Sequence, residues 1–156
     1  MRNKNKRLIF IIGVIITTIF CNTAIYASEF QCNEVTVKYE ARLRASDYIG
    51  LYSLHLKSLG EGRLEIIATV NTLNVMDELK ISPLVLQEST NGLTWRDVRT
   101  WRQEDTNKYN TVITATYQGT VGRYYRLSGT FTAVSKGNTE TRTASTGSLY
   151  NARAVN

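Results

Sequence analysis

The chain of 156 residues holds a single histidine, His55, between Leu54 and Leu56 on the polar parity of an alternating run. A metal site gathers several His, Cys, Asp or Glu ligands, and a Ser-His-Asp hydrolase sets its histidine beside a nucleophile and a carboxylate. Surface placement of His55 serves neither. The carboxylate pairs Asp77-Glu78 and Glu104-Asp105 are adjacent in polar segments, whereas glycosidase chemistry needs two carboxyl groups about 5 to 10 Å apart across a cleft. No G-x-S-x-G, H-E-x-x-H or phosphate-binding glycine loop occurs. The acidic neighbours Glu29 and Glu34 oppose a reactive thiolate at Cys32. The expectation is therefore no catalytic residue, no cofactor and no metal, with an oxygen-ligated Ca²⁺ in Gln103 to Asn107 (QEDTN) as the one metal alternative.

Aromatic residues are the more informative class: Trp95, Trp101, Tyr109, Tyr117, Tyr124, Tyr125 and Tyr150 all fall after residue 90. Exposed aromatic platforms stack on sugar rings and anchor protein interfaces. The candidate ligand-binding surface is Trp101, Tyr109 and Arg99 near the QEDTN segment, against the alternative that these rings fill the core. Arg96, Arg99 and Arg102, with Asp97 among them, also read as the charges of an edge strand that deter further pairing.

The first 27 residues stand apart. Arg2, Lys4, Lys6 and Arg7 precede the apolar run Leu8 to Phe20, and small residues follow at Ala24 and Ala27. These are the parts of a secretory signal peptide cleaved after Ala27; an uncleaved N-terminal anchor, tethering the domain to the cell surface, is the alternative. Lipidation at Cys21 is disfavoured by the bulky Phe20 before it. Four of the 19 Lys and Arg residues leave with this segment and none of the 13 Asp and Glu, so the balance falls from +6 to +2. That gives a nucleic-acid role no support. Cys32 is left as the lone thiol, free or bridging to another chain.

Extended runs must position whatever site exists. Tyr52, Leu54 and Leu56 share one parity, then Leu64, Ile66, Ala68 and Val70 after the turn Leu59 to Gly62. Asn91-Gly92, between Leu84/Leu86 and Leu93/Trp95, predicts a two-residue type I′ hairpin turn. Asn74 to Lys80 (NVMDELK) reads as a crossover or short helical turn, and Pro83 lies near the start of the strand after it. QEDTN reads as a polar loop. Tyr109 to Tyr117 and Tyr125 to Ala133 alternate again, with Gly129 at a bulge or a close approach, and Thr139 to Thr146 is a polar last strand. Seven strands from Tyr48 onward, joined by Gly- and Asn-bearing turns, predict an all-β sandwich, with a small barrel as competitor. The expected organisation is a signal peptide at 1–27, a lead-in at 28–47 that opens with an edge strand, the β-sandwich at 48–147 and a loosely held tail at 148–156.

LQESTNGLTWRDVRTW followed by VGRYYRLSGTFTA resembles fibronectin type III and immunoglobulin-like sandwiches, over roughly Tyr48 to Thr146. The G-x-Y-Y-R segment is also similar to an uncharacterised family of small secreted Gram-positive bacterial proteins. The resemblance implies a single antiparallel immunoglobulin-like or fibronectin type III-like β-sandwich, a tyrosine corner at Tyr125 or Tyr124 and a core tryptophan at Trp95. The paired cysteines of true immunoglobulin domains are missing, and no catalytic residue is carried over. The expected function is a secreted, non-enzymatic binding or interaction module for an extracellular or cell-surface protein or glycan, without nucleic acid or a membrane span after cleavage. A carbohydrate- or cell-wall-binding adhesin-like domain and a small extracellular hydrolase are the alternatives.

Overall fold

The computed structural model describes residues 34–40 and 48–152. The signal segment, its cleavage point and Cys32 lie outside the described residues. The fold is all-β and antiparallel, with seven strands: β1 (Glu34–Glu40), β2 (Ile49–Gly60), β3 (Arg63–Ser89), β4 (Arg96–Gln118), β5 (Arg123–Ser135), β6 (Asn138–Ser145) and β7 (Leu149–Asn151). They form one sheet in the order β1-β2-β3-β5-β6, with β4 also paired to β3 and β7 to β5.

β3 decides the shape. Its 27 residues would span ~90 Å if straight, far beyond the size of a domain this long, so the strand has to bend. β4 pairs with it along almost its whole length, while its other edge is shared, residues 63–72 meeting β2 and 78–89 meeting β5. The bend falls where pairing lapses between Asn71 and Met76, opposite Tyr109 and two residues from Asn107, whose φ is +55°. Two threonines lock it. Thr72 Oγ1 donates to the Asn74 carbonyl at 2.7 Å with the Tyr109 carbonyl also 3.0 Å away, and Thr111 Oγ1 donates to the Asp105 carboxylate six residues back along β4.

The sheet thus curls until its ends face each other. Leu54, Leu56, Leu64, Ile66, Ala68 and Val70 of β2 and early β3 are fully buried with Leu79, Ile81, Leu84, Leu86, Leu127 and Phe131 of late β3 and β5. Tyr52 and Phe131 bring ring centroids to 5.1 Å across the curl. Gly129 is the close approach foreseen for it, since a Cβ there would stand 3.1 Å from Leu54 Cδ2 and 3.4 Å from Leu84 Cδ1. Glu140 of β6 fastens the start of β2, its Oε2 accepting the amides of Tyr48 (2.5 Å) and Ile49 (3.1 Å).

Several local expectations are corrected. NVMDELK is strand, not a helical turn: Met76 and Leu79 are buried, and pairing with β4 and β5 overrides the helical propensity of Asp77 and Glu78. QEDTN is likewise strand, within β4, because register with Met76 to Ile81 holds it extended. Pro83 lies inside β3 at a break in register between Ile81 and Leu84, where a missing N–H is tolerated. The supposed tail carries β7, with Leu149 and Asn151 fully buried. Asn151 ties the β2–β3 and β4–β5 turns together: Ser58 Oγ donates to its Oδ1 at 3.0 Å, and its Nδ2 donates to the carbonyls of Gly62 at 3.0 Å and Thr120 at 3.3 Å. Its own carbonyl accepts the Gly122 amide.

Candidate functional site

The segment joining β3 to β4 is a six-residue loop, not a two-residue turn. Gly92 takes φ +72° as expected, but Asn91 does not enter the positive-φ region that a type I′ turn demands. Side-chain hydrogen bonds supply the reason. Ser89 Oγ accepts the amides of Asn91 (3.2 Å) and Gly92 (2.9 Å), and Asn91 Oδ1 accepts those of Leu93 (2.9 Å) and Thr94 (3.0 Å). Ser89 Oγ also donates to Asn91 Oδ1 at 3.0 Å. Local side chain-to-backbone bonds of this kind compete with the ladder. They build a stiff loop that carries Leu93 out to 82% exposure.

Beside the loop lies a shallow recess of about 220 Å³ lined by Glu88, Ser89, Thr90, Thr94, Trp95 and Arg96. Trp95 is half-buried in the loop and is not a core tryptophan; Arg126 lies over its ring, 4.3 Å from the centroid. Arg126 is itself held, since Nε donates to Gln87 Oε1 at 2.7 Å while Gln87 Nε2 donates to Asp97. One indole face is therefore fixed by a guanidinium that cannot swing freely, an arrangement worth about 0.5–2 kcal/mol depending on desolvation.

The floor is a hydrogen-bonded chain that runs from the exposed Arg96 through buried Glu88 to buried Tyr125. The Glu88 side chain is 5% exposed. Its Oε1 accepts Arg96 Nη2 at 2.7 Å and Nε at 3.2 Å, and its Oε2 accepts the Tyr125 hydroxyl at 2.5 Å. Tyr125, fully buried, also accepts the Thr120 amide at 2.7 Å. Burial is the largest influence on Glu88 and pushes its pKa up, but the hydrogen bonds from Tyr125 and Arg96 together outweigh it and the net shift is downward from 4.5. Burial, followed by the hydrogen bond to Glu88, pushes the Tyr125 phenol up to about 12.

Both shifts leave a pH signature. A depressed carboxylate contributes stability above its unfolded pKa that is lost as pH falls through the folded value, so the melting temperature should drop below about pH 4. A raised phenol contributes stability that is complete below about pH 10 and is lost as pH rises towards its folded value of about 12. Thermal melts of wild type and Tyr125→Phe across pH 2 to 12 check this: the substitution should cost about 1–3 kcal/mol at pH 7 and weaken the alkaline decline.

The three residues of the sequence-predicted surface all lie on β4. Trp101 is half-buried, faces Leu84 in register and packs against the core; Arg99 is exposed opposite Leu86. Tyr109 is exposed at the bend, eight residues further along β4, or ~26 Å of extended chain from Trp101. His55 lies on the outer face of the sheet, its Nδ1 2.7 Å from Thr36 Oγ1 and 3.3 Å from a Glu34 oxygen, with Glu65 3.9 Å from Nε2. Asp105 bonds Thr111 and Gln103 on the inner side of the bend, and no group of three metal-capable side chains occurs among the described residues. Glu88 was detectable: it shares the inward parity of Leu84 and Leu86, just as Tyr125 shares that of Leu127.

Comparison with known proteins finds no protein-family model that matches the chain and no curated protein that matches it. No helix among the described residues is long and apolar enough to cross a membrane.

Proposed function

We propose that the chain is an exported, non-enzymatic binding module acting outside the cell or at its surface, and that the β3–β4 loop is its contact surface. The observation that carries the reading is a loop held by its own side-chain hydrogen bonds that nonetheless presents Leu93 at 82% exposure next to half-buried Trp95. Stiff loops on a rigid sheet are common bearers of function, and a pre-organised apolar tip loses little entropy on binding. Both Glu88 oxygens are occupied by Arg96 and Tyr125, an arrangement that suits a structural floor better than a general base.

The curled sheet, in the same proposal, is an immunoglobulin-like or fibronectin type III-like sandwich whose two ends act as its layers. Support comes from Tyr125, whose hydroxyl takes a backbone N–H five residues upstream as a tyrosine corner does. A glycan is the second ligand class, favoured by an indole beside a carboxylate and a guanidinium in a recess about the size of one sugar ring.

The test is retention of purified protein on insoluble cell-wall sacculi and on a glycan array, with Leu93→Ser and Trp95→Ala in parallel. Leu93→Ser should leave stability within about 0.5 kcal/mol while reducing retention at least tenfold. Retention unchanged in both variants would move the contact surface elsewhere.

A further inference from the structure

β4 pairs with β3 alone, so among the described residues one side of a 23-residue strand is an unpaired sheet edge. Its two halves differ in kind. Residues 96–108 carry Arg96, Asp97, Arg99, Arg102, Glu104, Asp105 and Lys108, the charges by which natural sheets deter pairing. Residues 109–117, YNTVITATY, carry no charge, no proline and no glycine, and consist mostly of β-branched and tyrosine side chains. The next charge after Lys108 is Arg123. The other outer strands differ: β1 and β6 both include charged residues, and β7 has three residues.

We infer that residues 109–117 of β4 pair antiparallel with the same residues of a second copy of this chain, making one sheet continuous across a two-fold dimer. Charge selects the occupant. A two-fold antiparallel pairing sets each residue against one from the same segment, and this segment offers only neutral partners to itself. The geometry bounds the register. One end of the segment is the bend at Asn107, with its positive φ, and the other is the β4–β5 turn beginning at Gly119. A pairing centred on Ile113 sets the bend of one copy against the turn of the other and opposes Val112 to Thr114, both exposed. Thr111, Ile113, Ala115 and Tyr117 would then extend the inner face across the join, where Ala115 and Tyr117 already pack against the core while half exposed. The charged half lies beyond the bend, so the β3–β4 loop stays open for a ligand in each copy.

Sedimentation equilibrium of the full chain, as its producing cell processes it, tests the inference. Wild type should dimerise reversibly in the micromolar range; Thr114→Lys should raise the dissociation constant at least 30-fold, and Thr106→Lys, in the charged half, less than threefold. Mixing Val112→Lys with Thr114→Glu chains should restore a dimer, because the Ile113-centred register places the new charges opposite each other. A monomer at all concentrations, a dimer equally weakened by Thr106→Lys, or assembly into open polymers would overturn the inference.

Discussion

Phe131→Ala is expected to lower the unfolding free energy by about 3–5 kcal/mol, the range for emptying a large aromatic from a packed core. Phe131 is fully buried on β5, and its ring meets Tyr52 of β2. That contact joins the two ends of the curled sheet, which no backbone pairing between β2 and β5 connects. The cavity would open between facing surfaces whose backbones are fixed by their own ladders, leaving little room for collapse. Denaturant unfolding checks it, and Val134→Ala, a half-buried neighbour on the opposite parity, serves as the comparison at about 1 kcal/mol or less. Equal costs at the two positions would mean that the ends of the sheet do not pack as described.

Asn151→Ala should cost about 3 kcal/mol, from stranding more than one buried polar group at about 1–3 kcal/mol each. Ser58 loses its acceptor and the Thr120 carbonyl its donor, while Gly62 keeps only the amide of Gly119. Asn151→Asp would restore the acceptor for Ser58 but face two carbonyls with a carboxylate, so it should recover little. The residue lies five positions before the last residue of the sequence, and a cost below 0.5 kcal/mol would mark β7 as a dispensable appendage.

The legible parts of the fold were those where burial on one face writes itself into alternation. β2, the first half of β3, the second half of β4 and β5 follow this pattern, from Leu54 and Leu56 through Ile113 to Phe131 and Ala133. Two kinds of feature escaped it. Where β3 crosses the bend, Leu73 and Val75 are exposed and Met76 is buried, so the parity slips and a local pattern resembling a helical turn takes its place. Only partners distant in the chain hold that stretch extended. At Asn91-Gly92 the dipeptide signal was outcompeted by hydrogen bonds from Ser89 and Asn91 themselves, which turned a predicted turn into the loop that carries the candidate site. Of that site, Trp95 lies half-buried in the loop and not in the core that the resemblance implies, and Leu93, next to the expected hairpin turn, is exposed. Asn151 gave no pattern at all, because a three-residue strand is too short for periodicity to register.

The most direct test of the β3–β4 loop as contact surface is hydrogen–deuterium exchange of the protein alone and bound to cell-wall sacculi. In the unbound protein the amides of Gly92, Leu93 and Thr94 should already exchange slowly for a loop, because Ser89 and Asn91 accept them. Binding should deepen protection across residues 89–95 and leave 99–109 unchanged. Protection gained at Arg99, Trp101 and Tyr109 with none at the loop would contradict the account and return the contact surface to the aromatic stretch of β4.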